Sequence, residues 1–150
     1  MNLNNLILEL NRNLNDRSRA NCFNAVKIYW QDSKVQKLTG PQEFVEYIAT
    51  NFQQISLDDS LYRGDVCIVW SRSDFQLPIG QINLNALANK NEGYPFGLLI
   101  EHSFVYIEEN QVFHKPDPKS SSLYQMASFV EVVNSYQMVK GFELTRHRRL

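Results

Sequence analysis

Cysteine, histidine and long apolar runs are all scarce in this sequence of 150 residues. The two cysteines, Cys22 and Cys67, are too few for a disulfide framework in a chain of this length, so both are expected as free thiols. No stretch reaches the ~20 consecutive apolar residues that a membrane-spanning helix needs. The segment from Met1 to Asn5 carries no positively charged side chain, and Glu9 interrupts the apolar residues after it, so no signal peptide is expected. These absences predict a cytoplasmic protein, with export that needs no cleaved signal as the alternative.

Charge of one sign is not in excess either, since 15 Lys and Arg residues and 16 Asp and Glu residues give a net charge of −1. This balance argues against binding to nucleic acid or to anionic membranes through overall charge. Only the segment 146–149 is basic, and it is interpreted as a solvated tail. The hydrophobic fraction of 43% is that of a folded protein, and the length suits one domain over residues 1–150. The oligomeric state is not predicted.

Apolar residues recur at helical spacing in the first third of the chain. Helices are predicted over residues 3–14, 21–30 and 41–55. Asn21 suits the N-cap of the second helix, and Thr39 suits the N-cap of the third, with Pro41 in its first turn. A polar loop over residues 15–19 separates the first two helices. The third helix is expected to carry Phe52 inward, toward the core.

Patterns typical of strands follow these helices. Strands are predicted over residues 64–70, 102–107, 111–115, 124–127 and 137–145. A turn at 108–110 joins two of them in a hairpin, and Ser128 begins a short helix that ends near Ser135. Residues 71–97 are interrupted by Pro and Gly and are predicted to be a long insertion or lid with a brief helix near Leu84–Ala88. Helices first and a mainly antiparallel sheet afterwards indicate an α+β fold.

One cysteine and two histidines occupy positions that suit nucleophilic catalysis. Cys22 falls in the first turn of the second predicted helix, where the helix dipole favours a thiolate and free N–H groups can support an oxyanion. His102 opens a strand, and His114 lies on the neighbouring hairpin strand within reach of it. These positions suit His102 as the general base and His114 as the residue that orients it.

The same three residues are also compatible with two different roles. A cysteine near a helix start is more often a small core residue than a nucleophile. Cys22, His102 and His114 could also be taken for a zinc site, although the chain lacks the clustered Cys and His spacing that such a site usually shows. No glycine-rich phosphate-binding loop occurs in the sequence. No metal and no cofactor are therefore expected.

Four segments, in chain order, resemble the motifs of NlpC-type papain-like cysteine peptidases. The segments are Asn21–Ala25, Gly64–Trp70, Glu101–Ile107 and Val112–Pro116. In that family, a helix beginning with Asn or Asp and Cys precedes a Gly-Asp strand that ends in Trp. A strand that opens with His and a strand with a further polar residue, frequently His, then follow.

The resemblance implies a divergent family member with a papain-like α+β fold, in which N-terminal helices pack on a mainly antiparallel sheet. It implies that Cys22 is the nucleophile, His102 the base and His114 the orienting residue. Relatives cleave amide bonds in peptidoglycan peptides, and more distant ones act on other amides or transfer acyl groups. The expected activity is hydrolysis of an amide bond in a peptide through an acyl-enzyme, with an acyltransferase or a thioesterase as the alternative.

The chain departs from the family pattern at Phe23, where relatives carry a small residue, and at Ser103-Phe104, where they carry Val-Gly. Bulky Phe104 is expected to narrow or reshape the cleft. These departures motivate a hypothesis of another class, a catalytically silent scaffold that binds a partner. A Cys22 sulfur beyond hydrogen-bond range of His102, in a plugged cleft, would favour that hypothesis.

Three further residues are candidates for the oxyanion site or the cleft. Asn21 is interpreted as a helix cap, with a contribution to the oxyanion site as the alternative. Trp70 is expected in the core or in the cleft wall, and Glu101 is expected as a surface charge or as a contact for a cationic substrate group. Cys67 is expected to be structural, and no catalytic role is expected for His147 in the basic tail.

Overall fold

The computed structural model describes residues 2–17, 20–71, 82–88, 100–116, 122–137 and 142–150. The helices in these ranges are α1 (Leu3–Arg12), α2 (Leu14–Arg17), α3 (Cys22–Tyr29), α4 (Pro41–Asn51), α5 (Leu84–Ala88) and α6 (Phe129–Gln137). The strands are β1 (Phe52–Ile55), β2 (Val66–Ser71), β3 (Ile100–Glu108), β4 (Gln111–His114), β5 (Gln125–Ser128) and β6 (Phe142–Arg149). None of the helices in the described ranges has the length and apolar content needed to cross a membrane.

The strands form a six-stranded sheet in the order β1-β6-β2-β3-β4-β5. Every neighbouring pair in this sheet is antiparallel. The α+β class predicted from the sequence is therefore confirmed. The predicted hairpin is also present, because Glu109 and Asn110 adopt positive φ angles of 40° and 66° and join β3 to β4 in a tight turn.

The two faces of the sheet pack against different helices. Successive strand residues point to opposite faces, so Ile68 and Val105 join the core formed with α1, α3 and α4. Cys67 and Phe104, each one residue away, join a second core, to which α6 contributes Val132. Strand β3 therefore supplies side chains alternately to both cores, which decides where its functional residues point.

Two boundaries differ from the sequence prediction near the N-terminus. Residues 14–17, partly assigned to a loop, form the short helix α2. Helix α4 ends at Asn51, and Phe52 is a buried residue of β1 rather than of a helix, because β1 pairs with β6. Thr39 does not cap α4, because the N-cap of this helix is Gly40. The backbone of Thr39 is instead hydrogen-bonded to the Asn21 side chain.

The basic segment near the C-terminus belongs to β6, so the prediction of a solvated tail was wrong. The final strand predicted over 137–145 is present, but it covers Phe142–Arg149. Strand β6 lies between β1 and β2, so both of its edges are hydrogen-bonded. Arg148 pairs with buried Asp65 through two hydrogen bonds of 3.0 and 2.7 Å. Arg149, the next residue along β6, pairs with Asp32 and also donates to the Tyr47 hydroxyl of α4 at 3.2 Å. Ion pairs and strand pairs between residues so distant in the sequence leave no pattern in the neighbouring residues from which the end of β6 could be predicted.

His147, which was expected in a basic tail without a catalytic role, is buried on β6. The Trp70 Nε1–H donates to the Thr145 hydroxyl at 2.7 Å, and this hydroxyl lies 2.8 Å from His147 Nε2. Because the hydroxyl accepts from the indole, its own proton can be donated to the imidazole, which must then be neutral. Burial lowers the pKa of His147 to about 3. The folded protein therefore holds this imidazole uncharged at neutral pH.

We expect His147 to make the protein less stable in acid. The unfolded chain binds a proton at this residue near pH 6.5, whereas the folded chain does not until about pH 3, so stability is lost as pH falls between these values. The loss from this residue should reach about 2 kcal/mol at pH 5. Urea unfolding at pH 7 and pH 5 should show a smaller decrease for His147→Gln than for the wild type. Equal decreases would contradict the expectation.

Gly64 provides a second stability prediction, because its φ of +95° disfavours other residues and a Cβ there would lie 2.5 Å from Trp30 Cζ2. The Trp30 ring is fixed by its Nε1–H, which donates to the Gly64 carbonyl at 3.1 Å. Gly64→Ala should lower the free energy of unfolding by about 2–4 kcal/mol through strain and overpacking. Gly40→Ala is the matched control and should cost less than about 1 kcal/mol, since a Cβ there meets no atom within 4 Å.

Candidate active site

Cys22 is the first residue of α3, as the sequence predicted. Asn21 caps the helix, because its side-chain oxygen accepts the N–H of Asn24 at 3.0 Å. The Asn21 amide nitrogen donates to the Thr39 carbonyl at 2.7 Å. Both ends of this side chain therefore have protein partners, which favours the role of cap over that of oxyanion donor.

Strand β3 contacts the start of α3 through Ser103, whose hydroxyl donates to the Cys22 carbonyl at 3.2 Å. The N–H and C=O of Tyr106 bond toward β2, to Asp65 and Gly64. Because these directions alternate along a strand, the N–H of Ser103 points to the opposite side, toward β4. Strand β4 ends at His114, so this N–H faces the space that the start of α3 occupies.

The surroundings of the Cys22 thiol influence its pKa in two opposite directions. Burial is the largest influence and raises the pKa, while the hydroxyl and N–H of Ser103 and the N–H groups of Cys22 and Phe23 lower it. Burial prevails, so the thiol is protonated at neutral pH. The expectation that the helix start favours a thiolate is thus outweighed in the resting protein. The donors around the sulfur would nevertheless stabilise negative charge that develops there during a reaction.

His102 and His114 contact each other as the hairpin register predicted, with 2.7 Å between His102 Nε2 and His114 Nδ1. Both side chains are buried. Burial, and to a lesser extent His114, lowers the pKa of His102 to about 3, and burial lowers the pKa of His114 to about 4. Both rings are therefore neutral at neutral pH. Since His102 Nε2 is bonded to His114, Nδ1 is the nitrogen of His102 left for a substrate or a thiol.

Tyr136 of α6 covers His102. Its ring lies parallel to the imidazole, with 5.6 Å between centroids and 20° between planes, and His102 is only 1% exposed. Burial, followed by Cys22 and Glu101 in their ionised forms, raises the pKa of Tyr136 to about 12. Across the described ranges, no hydrogen bond joins the Cys22 sulfur to His102 or to His114. His102 is therefore covered, while Cys22 is partly exposed, and the thiol and the imidazole are not bonded to each other.

The remaining candidates lie around this centre without completing it. Trp70 is fully buried and bonds Thr145, which favours the core over the cleft wall. Glu101 is exposed on β3 beside His102, where the register with β2 shifts. Cys67 is fully buried, and burial raises the pKa of its thiol to about 12, as suits a structural residue.

Phe104 lies beside the candidate site, with 6.0 Å between the centroids of its ring and of the His102 ring. It is fully buried between the sheet and α6 and contacts Phe129 edge to face. Phe23, the other departure from the family pattern, stacks on Phe44 with 4.5 Å between ring centroids. Both residues therefore stabilise packing. The lid predicted for residues 71–97 falls largely outside the described residues, apart from α5, the brief helix predicted near Leu84–Ala88.

Within the residues that the structure describes, Cys22, His102 and His114 do not form a group that could hold a metal ion. Three residues to which the sequence analysis gave no role in the site take part in it: Ser103, Gln125 and Tyr136. Ser103 directly follows the first histidine, and that adjacency was the available signal. Tyr136 has no such signal, because its contact depends on how α6 packs against the sheet.

Comparisons with protein-family models, with curated proteins and with solved structures found no match to this chain.

The raised pKa of the Cys22 thiol predicts slow alkylation of the folded protein. Each pKa unit above the ordinary value lowers the thiolate fraction about tenfold, so iodoacetamide at pH 7 should label Cys22 more slowly in the folded than in the urea-unfolded chain. Cys67, which is fully buried, should be slower still. Mass spectrometry of peptides from timed samples would measure both rates. Faster labelling of Cys22 in the folded protein would contradict the raised pKa.

Proposed function

We propose that the protein is a cysteine hydrolase of the papain-like, NlpC type that cleaves an amide bond in a peptide. Cys22 is the nucleophile, His102 the general base and His114 the residue that orients it. The observation that supports this proposal is the buried hydrogen bond of 2.7 Å between His102 Nε2 and His114 Nδ1. It fixes one nitrogen of His102 in the way that the third residue of a catalytic triad does.

The neutral state of both partners indicates how the reaction begins. With the pKa of the thiol raised and that of His102 lowered to about 3, a thiolate–imidazolium pair is unfavourable at rest. His102 Nδ1 therefore takes the thiol proton as sulfur attacks the substrate carbonyl carbon, in one general-base step. The Ser103 N–H and the free N–H groups at the start of α3 stabilise the negative charge that develops.

The tetrahedral intermediate then collapses. The imidazolium of His102 gives its proton to the leaving amine as the C–N bond breaks, which leaves a thioester on Cys22. A water molecule, deprotonated by His102, attacks this thioester and releases the acid and the free thiol. A thioesterase would share the second half of this sequence, and an acyltransferase would replace the water with another acceptor.

A second candidate function, that of a catalytically silent scaffold that binds a partner, is favoured by the covered position of His102. Tyr136 lies over His102, and no hydrogen bond joins the Cys22 sulfur to this imidazole in the described residues. For the hydrolase, the Tyr136 ring has to move before a substrate carbonyl can approach His102. For the scaffold, the ring stays in place.

The hydrolase proposal can be tested with activated acyl esters and chromogenic peptide amides. Wild-type protein should release product and accumulate an acyl-enzyme, detectable by intact-mass spectrometry as one acyl group on Cys22. His102→Ala should lower the rate by about 10² to 10⁴, the usual contribution of a general base, and Cys22→Ala should abolish acylation. Tyr136→Ala should accelerate acylation, because it removes the ring that covers His102.

Cys67→Ala is the matched control, since it removes the other thiol from a buried position on β2 and should leave the rate close to that of the wild type. Equal ester hydrolysis by wild type and Cys22→Ala would contradict the proposal. If neither the wild type nor Tyr136→Ala forms an acyl-enzyme with any of these substrates, the scaffold is the better description.

A further inference from the structure

Gln125 lies at the far end of the histidine pair. Strand β5 places it directly opposite His114, and its side-chain nitrogen is 3.4 Å from His114 Nε2. The side chains of Gln125, His114 and His102 therefore form a continuous chain of polar contacts from the surface of β5 to the buried His102 Nδ1.

Simple hydrogen-bond rules allow only two directions for the hydrogen bonds along this series of side chains. A neutral imidazole has one N–H donor and one bare nitrogen acceptor. The contact between His102 Nε2 and His114 Nδ1 therefore needs a proton on one of these nitrogens only. If His114 Nδ1 holds this proton, His102 carries its own proton on Nδ1 and His114 Nε2 is bare. If His102 Nε2 holds it, His102 Nδ1 is bare and His114 carries its own proton on Nε2.

The amide of Gln125 selects between the two directions. As it is placed, its NH₂ group lies 3.4 Å from His114 Nε2 and can donate to that nitrogen only when the nitrogen is bare. His114 then carries its proton on Nδ1 and donates to His102 Nε2, so that the proton of His102 is on Nδ1. In this tautomer His102 cannot accept the thiol proton at Nδ1.

A rotation of the Gln125 side-chain amide by 180° reverses the direction of each hydrogen bond between Gln125, His114 and His102. The amide oxygen then accepts from His114 Nε2–H, His114 Nδ1 accepts from His102 Nε2–H, and His102 Nδ1 becomes a free acceptor. Gln125 is exposed, so water can satisfy the outward end of the amide in either orientation. The rotation exchanges nearly isosteric groups and needs no movement of β5.

We propose that Gln125 is a positioning residue that sets the tautomer of His102 through His114, and thereby determines whether His102 Nδ1 can act as a base. The inference rests on the proposed function for its catalytic consequence. The tautomers themselves are independent of turnover. At rest both histidines carry the proton on Nδ1, and rotation of the Gln125 amide produces the tautomer that can accept a proton from Cys22.

The tautomers can be read directly from ring-nitrogen chemical shifts in ¹⁵N-labelled full-length protein at pH 7, because bare and protonated imidazole nitrogens are well separated. The wild type should show Nδ1–H for His102 and His114. Gln125→Leu should change the tautomer ratio of both rings at least about fivefold, the size expected for loss of one hydrogen bond. Gln125→Lys, which can only donate, should retain the wild-type tautomers.

Gln53→Leu is the matched control, since Gln53 is also an exposed glutamine on a strand but lies on β1, at the other edge of the sheet. It should leave both tautomers unchanged. Unchanged ratios in Gln125→Leu, or a wild-type His102 with its proton on Nε2, would overturn the inference. Because these spectra need no substrate, absence of hydrolysis would count against the proposed function alone, and unchanged tautomers would count against Gln125 alone.

Discussion

The pairing of β3 with the shorter strand β4 determines where each group of the candidate site lies. Strand β4 ends at His114, so the backbone of β3 beyond that point has an edge free for another partner. The start of α3 occupies this edge, where the Ser103 hydroxyl donates a hydrogen bond to the Cys22 carbonyl. One residue away, His102 points to the opposite face, toward α6. The end of β4 therefore leaves room for the start of α3 beside Ser103, while His102 lies on the other face of β3, against α6.

Burial controls the chemistry of this centre more than any single charged neighbour does. It raises the pKa of the Cys22 thiol and lowers the pKa of both His102 and His114. All three groups are therefore uncharged at rest, although each could ionise near neutral pH in water. Such a site avoids the cost of an unpaired buried charge, and negative charge is stabilised only when a reaction creates it.

Local signals in the sequence predicted the parts of the fold that local contacts form. Asn21 marked the start of α3, and the turn at 108–110 brought His102 beside His114. Contacts between distant segments were not predictable in the same way. Phe52 continues an apolar helical pattern and becomes a strand only because β6 pairs with it, and Tyr136 reaches His102 only through the packing of α6. The sequence pattern thus indicated which residues could form a site, but not that the site would be covered.

The central position of β6 has a consequence for the speed of folding. This strand separates β1 from β2, and the Trp70–Thr145 hydrogen bond joins residues 75 positions apart. Closing such a long loop costs chain entropy before the contact stabilises anything, and proteins dominated by distant strand pairs fold slowly. Helices α1, α3 and α4 can form early from local contacts, but the sheet that buries them depends on β6. A chain in which β6 is unpaired exposes the edges of β1 and β2 to other chains, so the pairing of β6 also protects the sheet against aggregation.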